Sequence, residues 1–440
     1  VSAIITLPPA LIDPVNFSRM TFTEQGGGQG RIMASGGPWF VPDATAAGGF
    51  RQYQFLEGGG VLTGVTPLQV FRSVDDGLTW APMDSASGNA PPTPTNDPSQ
   101  NTSVFDSVSG RIFVAYMGDG STHRLRVYTF NTSTDKWESP SVQSTVDSHN
   151  NYFVMARLSN GDIYCFYPFV GLSGNTVYEK LSGGVWSTAV VDSSGQAKGV
   201  YSVVVDPSDG MTLVYSLAPG GGVNVLKSCH IDSTGAVGSP VTIYTNMSAG
   251  FSAGFNVGRG VIWQGTKIVF PAFIYESPFT TLTPIVFEGT PLSAPVWSNR
   301  PAGASFTSPP EFNAALDSLL DVTGNLVMGW NETAVPSSIV DKIWLATDSG
   351  SGFGAQQLFY DGNANPLNVP GVTVQSGTHS LYLSQTPNGD WFALTAVDMD
   401  SVLGFPCGGM YLRTAAPPPA PREVNVIFCG VIRFLLRDRG

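Results

Sequence analysis

The sequence is short of charge. Only 12 % of its residues are Asp, Glu, Lys or Arg, about half the share of an ordinary soluble domain. Long helices draw on Ala, Leu, Glu and Lys, so a helical fold is disfavoured. The main body has no basic run and the formal net charge is −12, which argues against a nucleic-acid partner. No apolar stretch approaches ~20 residues, so no membrane span is expected. Histidine is scarce and scattered: His123, His149, His230 and His379 form neither HExxH nor HxH, and no metal is expected. Cys165, Cys229, Cys407 and Cys429 include no CxxC pair, so neither a zinc site nor a disulfide framework is read from them. The glycine-rich run Gln25-Gly-Gly-Gly-Gln-Gly30 lacks the lysine and the strand–loop–helix setting of a phosphate loop, and no cofactor is expected. The opening Val1-Ser-Ala-Ile-Ile-Thr-Leu-Pro-Pro lacks a basic and then apolar leader pattern, so a leader, had there been one, is expected to have been removed.

What is abundant is turn chemistry and apolar strand. Glycine (51), proline (33) and 42 % hydrophobic residues suit short strands joined by tight turns around a large core. A polar turn with glycine, followed by an apolar run, recurs along the chain. It reads Ser109-Gly-Arg-Ile-Phe-Val-Ala-Tyr, Asn160-Gly-Asp-Ile-Tyr-Cys-Phe-Tyr and Asp209-Gly-Met-Thr-Leu-Val-Tyr. It returns as Gln264-Gly-Thr-Lys-Ile-Val-Phe, Thr323-Gly-Asn-Leu-Val-Met-Gly-Trp and Asn388-Gly-Asp-Trp-Phe-Ala-Leu, with a degenerate first copy at Gly58-Gly-Gly-Val-Leu-Thr-Gly. The glycines stand at 60, 110, 161, 210, 265, 324 and 389. A strand-built period near 50 residues points to propeller blades rather than to sandwiches or β-helix coils. The third unit resolves into four strands, predicted over 152–158, 162–169, 176–181 and 186–192. Seven such antiparallel, four-stranded blades fit between residues 51 and 414, with six blades as the alternative.

The first unit carries Arg72-Ser-Val-Asp-Asp-Gly-Leu-Thr-Trp80. This resembles the Asp-box (BNR repeat) of bacterial sialidases, S-x-D-x-G-x-T-W, at Ser73, Asp75, Gly77, Thr79 and Trp80. In such a box the carboxylate takes turn amides, glycine adopts positive φ and the indole covers the turn. The role implied is structural. Decayed copies follow in later units, among them Asn131-Thr-Ser-Thr-Asp-Lys-Trp137 and Asp348-Ser-Gly-Ser-Gly-Phe353. A second stretch, Val257-Gly-Arg-Gly-Val-Ile-Trp-Gln-Gly-Thr-Lys-Ile-Val-Phe-Pro-Ala-Phe273, is similar to the G-x-G-I…G-R-L-V-V-P-A-Y segment of the same enzymes.

The resemblance implies a sugar carboxylate held by three arginines, a Tyr–Glu nucleophile and an Asp acid/base, since oxocarbenium-like charge must be countered as the nucleophile attacks. Phe50-Arg51 matches the start of the first arginine motif, but Gln52-Tyr53 replaces Ile-Pro. Glu311, in Pro309-Pro-Glu-Phe-Asn-Ala-Ala-Leu, matches the glutamate position, while Trp330 stands where the second arginine would fall. The loop expected to bear the acid, Thr63-Gly-Val-Thr-Pro-Leu68, has none. Near the seventh unit only Tyr382 and Arg413 are at hand. Arg51 and Glu311 are therefore the catalytic candidates. Arg259, Trp263 and Trp330 are the ligand-binding candidates, with Trp39 a further ring able to stack on sugars.

The ends differ from the body. Residues 1–50 form an N-terminal extension with two plausible strands, 18–23 and 31–35, one of which is expected to complete a blade. Residues 415–440 form a linker, Pro417-Pro-Pro-Ala-Pro421, and a C-terminal strand, 423–436. That strand is largely apolar, so it is expected to be buried by ring closure or by docking on a neighbouring subunit. These features favour a non-catalytic propeller that recognises glycans or assembles with protein subunits, secreted or on a virion surface. The alternative is a sialidase-related glycoside hydrolase with an altered site.

Overall fold

A computed structural model of the chain describes residues 18–21, 31–34, 37–59, 69–75, 77, 80–83, 99–117, 124–144, 153–169, 174–220, 223–247, 256–276, 281–307, 316–332, 342–361, 381–387, 389, 391–397 and 408–413. The fold is an all-β propeller. Among the described residues the strands form seven antiparallel sheets. The first blade holds Arg31–Ala34, Phe50–Gly59, Gln69–Ser73 and Ala81–Pro82, with Trp39–Pro42 also paired to Phe50–Gly59. The second runs Ser99–Asp106, Arg111–Met117, Leu125–Asn131 and Lys136–Gln143. The third, Val154–Arg157, Ile163–Phe169, Asn175–Ser182 and Val185–Asp192, falls within two residues of the strands predicted for that unit. The fourth blade is Ala197–Val205, Met211–Gly220, Val223–Ile231 and Val241–Met247. The fifth is built on Lys267–Glu276, Thr281–Thr290 and Val296–Pro301, with Asn256–Val257 and Val261–Trp263 on its inner side. The sixth is Leu316–Leu320, Leu326–Glu332, Lys342–Asp348 and Gln357–Asp361. The seventh is Leu381–Gln385, Trp391–Val397 and Gly408–Arg413, completed by Ser18–Thr21.

First strands of successive sheets neighbour one another, and the first blade also meets the seventh. The ring is closed by the N-terminal segment, with Ser18 opposite Tyr411 and Thr21 opposite Gly408. The C-terminal strand, 423–436, lies outside the described residues.

Stacking of blades explains the continuous apolar runs. A strand between two neighbours buries both faces, so alternation disappears. Ile163–Phe169 is buried at every position. Its even and odd residues feed different cores. Tyr164 and Phe166 pack with Leu213 and Tyr215 of the fourth blade. Cys165 and Tyr167 pack with Leu125 and Val127 of the second. Each large side chain fully withdrawn from water contributes roughly 1.5–3 kcal/mol.

The turns repeat one device. Asp206 Oδ1 accepts the amides of Ser208 (2.7 Å) and Gly210 (2.9 Å). Asp232 does the same for Thr234 and Ala236, Asp321 for Thr323 and Asn325, and Asp348 for Gly350 and Gly352. An aspartate thus satisfies donors that the departing strands leave unpaired. Most glycines of the sequence repeat take the positive φ such turns need, Gly161 at 93° and Gly324 at 83° among them. Gly210 is needed for space instead. A β-carbon there would meet the Asp206 carboxylate at 2.5 Å and the His230 ring at 2.7 Å, and the positive φ passes to Asp209.

The 73–80 turn has its own arrangement. Gly77 has φ 79° and Trp80 donates its indole N–H to the Gly77 carbonyl at 3.1 Å, covering the turn. Ser73 Oγ accepts the Gly77 amide at 2.9 Å and donates to Asp75 at 2.8 Å. The hydroxyl thus links the carboxylate to the Gly77 amide, and the turn amides of residues 76, 78 and 79 lie outside the described residues. Thr79 lies outside the described residues.

Candidate functional site

Carboxylates tie one blade to the next. Asp106 of the second blade meets Arg157 of the third at 2.8 Å. Asp192 of the third accepts the Tyr215 hydroxyl (2.7 Å) and pairs with Lys227 (3.2 Å), both of the fourth. Burial opposes the Asp192 charge, but bonds from Tyr215 and Ser194 and the Lys227 ammonium together hold its carboxyl below the usual range. Asp348 of the sixth blade pairs with Arg300 of the fifth.

Arg51 belongs to this group. It faces Asp43 at 3.0 Å and Asp135 at 3.3 Å, with its side chain largely covered. Asp135, in the third-to-fourth-strand turn of the second blade, also takes Arg72 and the Tyr53 hydroxyl of the first. Arg51 is occupied as an inter-blade strut. Glu311 lies outside the described residues. Trp263 and Trp330 are 2 % and 1 % exposed and belong to one core cluster, so neither presents a ring face to a ligand. Trp39 is half-buried, with its indole N–H on Ser103 Oγ at 2.8 Å.

Arg259 is the candidate that reaches an open surface. It sits on a bend between Asn256–Val257 and Val261–Trp263, flanked by Gly258 and Gly260. A β-carbon at Gly258 would strike the Leu316 carbonyl at 2.4 Å, and one at Gly260 would strike Val204 at 2.5 Å. The glycines therefore let the bend press between the fourth and sixth blades, where the Gly260 amide bonds Ser202 Oγ at 2.8 Å. From there the arginine spans two further blades. Its Nη2 donates to Asp317 Oδ2 (2.9 Å) and to the Leu383 carbonyl (2.8 Å), and its Nε to the Ser318 carbonyl (3.2 Å). The side chain keeps 40 % of its surface exposed, and among the described residues Nη1 has no hydrogen bond. The guanidinium thus lies against the first strands of the sixth and seventh blades, Leu316–Leu320 and Leu381–Gln385, with this edge free.

Asp317 holds that arginine in place. It is 1 % exposed. Its Oδ1 accepts the Ser318 amide at 2.9 Å, and its Oδ2 also accepts the Leu383 amide at 2.7 Å. Burial pushes its carboxyl up to about 6 against the pull of Arg259. Tyr382, on the same inner strand as Leu383, is raised to about 12 by burial and by the Asp317 charge, with Arg259 opposing. With both oxygens engaged and no solvent contact, Asp317 is a positioning carboxylate and not a free acid or base. Sequence reasoning named Arg259 but missed Asp317. The signal available was a lone acid within the apolar inner strand Leu-Asp-Ser-Leu-Leu.

A concavity of about 620 Å³ opens between the fourth and fifth blades, away from Arg259, lined by Ser228, His230, Asp232, Gly238, Ser293 and Pro295 among others. Its lining has no Phe, Tyr, Trp, Lys or Arg side chain. Among the described residues no cluster of three His, Cys, Asp or Glu is placed to hold a metal, and no helix is long and apolar enough to cross a membrane.

No protein-family model matches the chain, and no curated protein matches it either. Solved structures do resemble it. An ulvan lyase of polysaccharide lyase family PL25, bound to -[GlcA(1-4)Rha3S]-, aligns over 90 % of this chain and 96 % of its own at 11 % identity and a TM-score of 0.52. The NanB sialidase of Streptococcus pneumoniae aligns over 90 % and 70 % at 10 % identity, TM-score 0.43. The Aleuria aurantia lectin, solved with α-methyl-L-fucoside, aligns over 86 % and 90 % at 10 % identity, TM-score 0.41. The likeness to the lyase shows the fold alone.

Proposed function

We propose that this propeller recognises a carbohydrate at the first strands of the sixth and seventh blades, with Arg259 contacting an acidic group of the sugar, and does not turn it over. The observation that carries the reading is the Arg259 guanidinium, fixed by Asp317 and the Leu383 carbonyl yet 40 % exposed. A pre-positioned guanidinium loses little entropy on binding and presents a planar fork to a carboxylate or sulfate. The net charge of −12 disfavours polyanions, so the sugar is one acidic residue among neutral ones. The ulvan lyase of like fold was solved with a saccharide, and extending that ligand class to this chain is part of the proposal. The absence of turnover is supported by the closed environment of Asp317. The low charge fits a protein acting outside the cell or on a virion surface.

The test is binding to an array of neutral and acidic oligosaccharides, followed by titration calorimetry on a hit. Arg259→Ala is expected to weaken binding at least tenfold, about 1.4 kcal/mol or more. Protonation of Asp317 as pH falls through about 6 removes the negative charge beside Arg259, so the wild type binds an acidic sugar more tightly at pH 5 than at pH 8. Unchanged affinity in Arg259→Ala would sink the proposal. Hydrolysis of a fluorogenic glycoside, abolished by Glu311→Gln, would replace it with the glycosidase reading.

The second part of the reading concerns assembly. The C-terminal strand, 423–436, is proposed as a docking element for a neighbouring subunit. Support comes from the seventh blade, whose outer position is taken by Ser18–Thr21, leaving ring closure without need of a second strand. Residues 422–440 also carry four Arg against one Glu and one Asp, opposite in sign to the acidic body.

A further inference from the structure

Glu179 is a carboxylic acid in an apolar joint. It lies on the third strand of the third blade and is 0 % exposed. Its neighbours on the same sheet face, Val177 and Leu181, belong to the cluster that packs the third blade on Ala115, Leu125 and Val127 of the second. Cys165 stands opposite it on the next strand. Ser144, at the end of the second blade, donates its hydroxyl to Oε1. The Tyr167 hydroxyl lies beside Oε2 on the same face, close enough to favour the charge but without a well-formed hydrogen bond.

Among the described residues no cation answers this carboxylate. Lys180, the next residue, faces the other side and pairs with Asp162 at 2.6 Å. Arg126 of the second blade alternates away from the joint, because Leu125 and Val127 point into it. Arg157 shares the joint but lies at its far end, held by Asp106 at 2.8 Å and over the Phe113 ring. Arg111, at that same end, is taken by Glu138 at 2.9 Å. The remaining titratable neighbours among the described residues, Cys165 and Tyr167, carry no positive charge. A buried carboxylate left without a counter-charge is strongly disfavoured, whereas its protonated form is a neutral donor and acceptor.

We infer that the joint between the second and third blades is a proton-operated latch, closed while Glu179 is protonated and loosened when it ionises. Burial raises the Glu179 carboxyl from its ordinary 4.5 to about 7, against the pull of Ser144 and Tyr167. The folded joint therefore keeps a proton that the opened chain releases. Between these two values the closed form binds more protons, and its stability falls as pH rises.

Cys165 reports the latch, because it is buried opposite Glu179, and Cys229, buried in the fourth blade, is an internal reference. The full chain is labelled with an uncharged maleimide, and peptide mass spectrometry gives the rate at each cysteine. The ratio of Cys165 to Cys229 labelling is expected to rise about tenfold from pH 6 to pH 8.5, and to stay flat in Glu179→Gln, which keeps the shape and the Ser144 bond. A flat ratio in the wild type, or the same rise in the variant, overturns the latch. Should the variant not fold, carbon NMR of wild type labelled at glutamate carboxyls decides. One resonance titrating near pH 7 supports the latch, and titration of every glutamate near the ordinary value overturns it.

Discussion

Removal of residues 1–22 opens the ring and abolishes cooperative folding, whereas a chain ending at Thr414 remains folded. The expectation follows from which end supplies the last strand. Ser18–Thr21 pairs along Gly408–Arg413, so its loss exposes that strand as an unpaired edge. Each ladder hydrogen bond contributes about 0.5–1.5 kcal/mol net, so one short strand is worth roughly 2–5 kcal/mol in hydrogen bonds alone. That is a large part of the 5–15 kcal/mol that separates folded from unfolded states in most domains. The seventh blade would also lose its covalent link to the first through the N-terminal segment, and the two could separate. Calorimetry and size-exclusion chromatography of both truncations settle the matter. An N-terminal deletion that melts at the temperature of the full chain refutes closure by that end. For the Thr414 truncation, a lower oligomeric order with an unchanged melting temperature is the signature of the proposed docking strand.

How much of this was legible in advance depends on distance along the chain. Local chemistry was readable. The turn glycines of the second to seventh units, the apolar strand after each and the four strands of the third blade all express contacts within about fifty residues, and the structure places them within two residues of the reading, whereas Gly58 and Gly59 of the first copy lie inside the strand Phe50–Gly59 and the run after them is outside the described residues. Contacts between blades were not readable. Asp135 sits in a turn whose sequence, Ser-Thr-Asp-Lys, looks like a decayed box that has lost its role. Its partners Arg51, Tyr53 and Arg72 lie 63 to 84 residues away, and nothing beside Asp135 announces them. The same holds for Asp317, whose value lies in Arg259 and Leu383, 58 and 66 residues distant. Trp263 and Trp330 show the converse error. An indole reads as a sugar platform or as core with equal ease, and only packing decides. Trp330 lies against Gly303, where a β-carbon would meet its ring at 2.5 Å, a fit that leaves no room for a ligand.

Asp135→Ala costs about 3–4 kcal/mol, because it breaks the node joining the first two blades. Two effects add. The carboxylate gathers two guanidinium groups and the hydroxyl of Tyr53, which is 0 % exposed. Removing one partner of a buried charged network costs about 3–5 kcal/mol. The arginines keep part of their surface and Arg51 keeps Asp43, so water recovers some of that loss and about 2–3 kcal/mol remains. The backbone adds the rest. Asp135 has φ 56°, a left-handed conformation that Asn and Asp tolerate and that strains alanine by about 1 kcal/mol. Asp135→Asn separates the two effects. It fits the same backbone and offers the Tyr53 hydroxyl an amide oxygen, so its loss measures the charge alone and should be roughly half that of alanine. A urea-denaturation cycle with Tyr53→Phe then isolates the hydroxyl. If the node is real, the two changes couple by about 1 kcal/mol or more, since a phenylalanine has no hydroxyl to leave stranded when the carboxylate goes. Strict additivity would mean that the aspartate and the tyrosine merely lie close, and that apolar stacking alone holds the first blade on the second.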